Sequence, residues 1–562
     1  MVKNGDTKET GYSMWQKIGR IIIALLCLAG IGGFVYLDNI EEVNNAEIEL
    51  SFYLGDEVIR AWEGEDTCYL FLPSYADVDD LRLTSYASGF EVVNTGEKVE
   101  KDDSLYAFSC NEKYNCRSLL NGENFTFCVM KSANLPTIFM DTDSGTIEYI
   151  WSDKEIEENG KMRLLSEDGS LLYTGGLSSV KARGNYSFSN YGKKPFSIKL
   201  KDEVSLLGLG EGKKYALLSN ASDPTLIRND IARKLEAALE AEYDNIGCFV
   251  DLYANGEYLG VYYLCENIEI GDDRIAVTDL EEQMDSIYRK SNYESFEEYD
   301  NNYTHAKYMD GLPADITGGY LVEREFVDRY RLEYWENPSG FVTEGGEHFF
   351  VKSPMYCSVE QVEYLRNYMN EVEEAILSPE GLCMATGKSY KDYIDVDSFV
   401  KKYLVEEITK NYDAGISSMF FYKDSDTVDA RIKAAPIWDA DMSLGCYLEW
   451  MEEIAAEPEG LTKLALHPHS SPWYEALYKK EEYYQKILKY YRSNAVPYLD
   501  ELMESGLDAY KEGLAASATM NDIRWQIDLD NNMYYEDRDT EFEQLEEYIT
   551  DRKIFLDSVW VK

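Results

Sequence analysis

Three aspartates stand where they could do chemistry. Asp439 and Asp441 are separated by one alanine, at the end of the apolar run in "RIKAAPIWDADMSLG". Upstream, Met419–Lys423 has strand character, Asp424–Asp429 reads as a turn, and Arg431–Ile437 reads as a returning strand. Asp413 lies thirteen residues before Asp426, near the middle of that turn, and Asp439 lies thirteen after it. A hairpin therefore brings Asp413 and Asp439 to one open end. Asp441 shares a side with Asp439 if the chain stays extended. Three converging carboxylates repel one another unless a proton or cation sits between them. Oxygen-only ligands favour a hard ion such as Mg²⁺ or Mn²⁺. Taken singly, each aspartate fits a turn or a helix cap equally well.

Positive charge is concentrated elsewhere. "KARGNYSFSNYGKKPFSIKLK", residues 181–201, holds six basic residues and no acid. Its alternation sends Phe196, Ile198 and Leu200 inward and Lys199 and Lys201 outward. Two strands around "NYGKK" would form a basic ribbon suited to phosphate oxygens, which Arg grips in a fork and Lys meets as a point charge. "GLGEGKK", residues 208–214, has the wrong spacing for a phosphate loop and reads as a turn. In "SDPTLIRND" Asp223 is placed to cap a helix that carries Arg228. "VDLYANGEYLGVYYLCENIEI" reads as a hairpin with an Asn-Gly turn. It delivers Glu266, which can pair with a basic strand or mark where the strand surfaces. Glu323 and Glu325 sit on another strand. The four histidines suggest no site.

These pieces need a large scaffold, and the chain supplies one: 562 residues, 45% apolar, with 46 tyrosines. The net charge of −51 argues against nucleic acid as a partner. Residues 21–37, "IIIALLCLAGIGGFVYL", are uncharged and follow a basic stretch. They read as an uncleaved single-pass anchor, with a cleavable signal as the rival, and place residues 1–20 in the cytoplasm and the remainder outside the membrane. Residues 41–134 carry short alternating segments and predict an accessory antiparallel β domain. Residues 135–562 begin with strands and pass to helices such as "VEQVEYLRNYMNEVEEAIL" and "VDSFVKKYLVEEITKNY". Residues 285–311 read as a polar insertion. Of ten cysteines, four fall between residues 60 and 130, where disulfides are plausible outside a cell.

The order of "KARGNYSFSNYGKKPFSIKL", "LLSNASDPTLIRND", "NGEYLGVYYLCENIE", "GGYLVERE", "NYDAGISSMFFYKD" and "PIWDADMSLG" resembles the CotH family of spore-coat atypical protein kinases. The resemblance runs from Leu135 to the C-terminus. It implies an α+β, divergent kinase-like two-lobed fold. It implies a metal-dependent kinase that transfers the γ-phosphoryl group of ATP, with Mg²⁺ or Mn²⁺, to Ser/Thr of coat or secreted proteins. By the same resemblance, Asp413 is the catalytic aspartate in an Asn-x-Asp setting. Asp439 is a metal ligand in Trp-Asp-x-Asp, and Asp441 is the second acid. Arg183, Lys193 and Lys194 are nucleotide phosphate contacts, and Glu266 is the acid after the "GVY" strand. Lys199 joins the nucleotide-binding set on strand alternation alone. Ser418 stands where family members often carry an asparagine that serves as a second metal ligand. A hydroxyl ligates more weakly than an amide carbonyl, so the rival expectation is a catalytically weak binding or coat-assembly protein.

Overall fold

The computed structural model describes residues 50–561 apart from 85–88, 291–295, 299–303, 308, 334–335, 447–450, 452–456 and 526–536. The predicted anchor, residues 21–37, lies outside the described residues. Among the described residues no helix is long and apolar enough to cross a membrane.

Contacts divide the chain into two compact units. The first contains residues 50–70 and 78–129. It is built from short antiparallel strands around an aromatic core, in which the Phe127 ring lies 5.5 Å from Phe90 and 5.6 Å from Phe108. Such strands alternate because one face meets the core and the other meets water. The nine described cysteines are all thiols.

The second unit, residues 71–77 and 130–561, is mixed α+β. Seven strands close a barrel: β1 (Thr137–Thr142), β2 (Glu157–Leu165), β3 (Leu171–Ala182), β4 (Phe196–Ser205), β5 (Glu211–Leu218), β6 (Cys248–Ala254) and β7 (Glu257–Glu266). Their order is β1-β2-β3-β4-β5-β7-β6, and β6 closes the ring by running parallel to β1. Phe196, Ile198 and Leu200 fill the interior as alternation predicts, while Lys199 and Lys201 face solvent. The β6–β7 turn is Asn255-Gly256, both at positive φ, which suits the right-handed twist of the two strands. Helix α1 (Arg228–Ala238) joins β5 to β6.

A second sheet follows, antiparallel throughout: β8 (Phe296–Glu298), β9 (His305–Lys307), β10 (Tyr320–Glu325), β11 (Gly340–Val342), β12 (His348–Ser353), β13 (Met419–Lys423) and β14 (Ile432–Ala434), in the order β8-β9-β11-β12-β10-β13-β14. The expected insertion at 285–311 therefore contributes two strands where it is described. Helices α2 (Val359–Leu377), α3 (Val396–Thr409), α4 (Leu507–Arg524) and α5 (Arg538–Trp560) pack into the same core, together with shorter helical segments between Trp473 and Leu502. Ser358 and Gln361 form a capping box that fixes the start of α2. A smaller apolar cluster joins Ala216 and Cys265 of the barrel to Leu321, Phe420 and Trp438 of the second sheet and its exit.

Candidate active site

Helix α3 ends at Thr409, and Lys410 takes the left-handed conformation that turns the chain toward Asn411 and Asp413. Strand β13 then pairs with β14, Phe421 opposite Ala434 and Lys423 opposite Ile432. After Ala435, whose N–H donates to Phe420 O at 2.9 Å, the chain leaves the sheet. It delivers Trp438, then Asp439 at φ +52°. A non-glycine residue there is strained and persists only when its surroundings over-determine it.

Helix α1 and the loops on either side of it provide those surroundings. Glu236 accepts the Ile437 N–H at 3.0 Å, and Asn229 accepts the Ala440 N–H at 2.9 Å. Asn245 donates to Ile437 O at 3.3 Å. The Ser222 hydroxyl donates to the Asp441 carboxylate. Asp223 fixes the start of α1 by accepting the Arg228 N–H at 2.8 Å and pairing with its guanidinium. The helix begins at Arg228, later than the Asp223 cap suggested, because the chain first turns at Pro224–Thr225, with the Leu226 N–H on Asp223 O at 3.0 Å and Leu226 itself at φ +70°.

A cleft of about 900 Å³ opens between barrel and second sheet. Asp413, Ser418, Asp439, Asp441 and Arg183 all line it, so the hairpin and the basic ribbon do meet. The Ser418 hydroxyl donates to Asp439 Oδ2 at 3.3 Å. The Arg183 guanidinium lies 4.6 Å from the centre of the Trp438 ring, a cation–π contact that aims it at the same corner. Lys181 and Lys214 add charge to this wall, although Lys214 is shared with Glu269 at 3.4 Å.

The site is electrostatically loaded. Burial, then the facing Asp439 and Asp441 carboxylates, push the Asp413 carboxyl up to about 7. Burial and Asp439 push Asp441 up to about 6. Burial pulls the Arg183 guanidinium down, against the attraction of Asp439. Crowded carboxylates favour nearby positive charge, and the Arg183 and Arg329 guanidiniums already act on Asp439 and Asp413 here. Among the described residues, no three His, Cys, Asp or Glu side chains are gathered at ligand spacing. Asp439, Asp441 and Ser418 are the oxygen donors of the lining that could serve an ion of the Mg²⁺ type. Such an ion is held by one or two carboxylates and completes its shell with phosphate oxygens and water.

Four of the expected site residues are not brought into the cleft. Lys193 is 4% exposed, and its ammonium donates to Ser219 O at 2.8 Å, Val261 O at 2.5 Å and Asn521 Oδ1 at 2.7 Å. It fastens the ribbon and β7 to the end of α4, and burial pulls it down to about 7. Gly260 makes this contact possible, because a Cβ there would stand 2.5 Å from Asn521 Oδ1. Lys194 turns back to the Phe188 carbonyl and lies 4.3 Å from the Phe188 ring centre. Lys199 sits opposite Lys214 but remains in solvent, outside the lining. Glu266 faces Tyr215 across β5–β7 and approaches Gly210, beside Arg274.

Other residues enter unannounced by the sequence reading. Arg329 lines the cleft and donates to the Ser417 hydroxyl at 3.1 Å, while pairing with Glu325 at 3.2 Å and Glu333 at 3.1 Å. The polar run Arg228-Asn229-Asp230, opening a helix and wholly buried, was the legible sign that α1 serves the site. His467 also reaches the lining.

No curated protein matches the chain. A family model described as CotH kinase protein matches residues 180–556, which include every cleft residue discussed from Lys181 to His467. The chain therefore belongs to the CotH family of kinase proteins.

Proposed function

We propose that the chain is an anchored extracytoplasmic protein kinase of the CotH type, with a divergent kinase-like two-lobed arrangement about this cleft. The observation that carries the reading is the meeting of Asp413, Asp439 and Asp441 with the Arg183 wall in one cleft. Phosphoryl transfer asks a protein for positioning and charge neutralisation, which is what these groups offer. Arg183 neutralises phosphate oxygens. Asp439 and Asp441, with Ser418, would hold Mg²⁺ or Mn²⁺, which would draw charge from the phosphates. Asp413, with its raised affinity for a proton, orients the Ser/Thr hydroxyl of a coat or secreted protein and takes up its proton. The apolar residues 21–37 would anchor the chain with this unit outside the membrane.

Full-length protein incubated with labelled ATP, Mn²⁺ or Mg²⁺ and a Ser-rich acceptor should incorporate phosphate. Absence of label with either metal would remove the reading. Ser418 favours a second reading, a nucleotide-binding assembly protein with weak or no turnover. Thermal stabilisation by ATP and Mn²⁺ without phosphate transfer would select it.

A further inference from the structure

The side-chain amide of Asn411 touches both loops that carry the acids, beside a backbone bond from the Tyr412 N–H to Met442 O at 3.1 Å. Asn411 is 1% exposed. Its Oδ1 accepts the Asp413 N–H at 3.4 Å, and its Nδ2 donates to the Asp439 carbonyl at 3.1 Å. The same Nδ2 donates to Glu406 Oε2 at 3.0 Å. Glu406 lies one turn back on α3, 1% exposed, and pairs with Lys402 at 3.2 Å. Lys402, 2% exposed, also donates to Pro436 O at 3.1 Å. One buried chain thus runs from the strand entering the Trp-Asp-Ala-Asp loop, through a helical ion pair, to the amide that touches both acid-bearing loops.

Stability alone accounts poorly for this arrangement. A buried ion pair loses hydration that its own attraction repays only in part, and apolar replacements of similar size are often neutral or stabilising. The amide, in contrast, has a geometric task. A planar group with one acceptor and two donors fixes three partners at once. Asp439 at φ +52° needs such fixing.

We propose that the Lys402–Glu406 pair acts through Asn411 as a positioning relay that holds the Asp413 and Asp439 loops in mutual register. The catalytic part of this proposal rests on the phosphotransfer reading above. None of the three residues lines the cleft, so they act through others.

The test uses the full-length chain and three variants. Lys402→Met/Glu406→Leu removes both charges together. Glu406→Gln keeps an oxygen facing Asn411. Asn411→Ser removes the bridge directly. The relay predicts that the double variant still folds, with a melting temperature lowered by only a few degrees because Pro436 O and one Asn411 N–H lose partners, keeps KM for ATP within about threefold, and loses about a hundredfold in kcat, as expected for a misplacement on the order of 1 Å. Glu406→Gln should retain kcat within about fivefold, since its carbonyl still accepts from the amide. If the double variant fails to fold, Asn411→Ser decides, with the same kcat loss expected. Wild-type kcat in a folded double variant or in Asn411→Ser overturns the relay. So does a large loss of stability with a fall in kcat and a rise in KM of the same factor, which marks a purely structural role. If the wild-type chain transfers no phosphate, the function proposed above falls, and amide exchange decides the relay by itself. Asn411→Ser should then exchange faster at 411–418 and 437–441 and unchanged in the barrel, and unchanged exchange in both loops overturns it.

Discussion

Replacing Asp413 by asparagine should make the apoprotein more stable while abolishing its chemistry. Burial and two facing carboxylates raise the Asp413 carboxyl from its ordinary 3.8 to about 7. That displacement corresponds to a ceiling of about 4 kcal/mol for holding the ionised form in the folded protein. Asp413 is only half-buried on the cleft side, and water there screens the repulsion, so roughly half, about 2 kcal/mol, is the working figure. The sign follows from linkage. A carboxyl that binds its proton more tightly when folded contributes stability that is fully present below about pH 4 and is lost as pH rises through about 7. The Asp413→Asn variant lacks this loss. Metal-free melting curves at pH 8 should therefore place the variant about 2–4 °C above wild type, and at pH 4 the two should coincide. Saturating Mn²⁺ should shrink the gap at pH 8 by neutralising Asp439 and Asp441. A variant less stable than wild type at pH 8, or a gap independent of pH, would refute the reasoning that these carboxylates crowd one another.

Three further outcomes follow from the geometry. Arg183→Lys should raise KM for ATP about tenfold, because an ammonium does not grip phosphate in a fork and makes a different contact with the Trp438 ring; steady-state kinetics checks it. Lys193→Met should cost about 2–4 kcal/mol by orphaning two carbonyls and an amide oxygen, with unchanged ATP affinity in the folded fraction; denaturant titration and nucleotide binding separate the two. Ser418 sits at φ +54°, which asparagine tolerates better, so Ser418→Asn should gain about 0.5–1 kcal/mol and lower the Mn²⁺ concentration for half-maximal activity.

The hairpin was legible because its signals are local: an apolar run, an aspartate-rich turn and a returning run that ends in Trp438. The β4 face was legible for the same reason, since alternation between core and solvent needs no distant partner. Lys193 shows where that logic stops. Its ammonium is claimed by Ser219, Val261 and Asn521, which lie far from it along the sequence, so spacing within "NYGKK" carried no sign of its burial. Glu266 was ambiguous because β7 belongs to a closed barrel, and only the register to Tyr215 says where its side chain goes. Asp439 was expected on extended chain, yet it takes a left-handed turn, which aspartate tolerates better than most residues, and the contacts from α1 and Asn411 that hold it there are distant in sequence.

The central claim is that one cleft joins metal, phosphate and acceptor hydroxyl, and its most direct test is phosphate incorporation at matched Mn²⁺–ATP occupancy in wild type, Asp413→Asn and Asp439→Asn. Transfer by wild type, with at least a hundredfold loss in Asp413→Asn despite undiminished nucleotide binding, is the result expected. Equal incorporation by all three proteins would contradict the account.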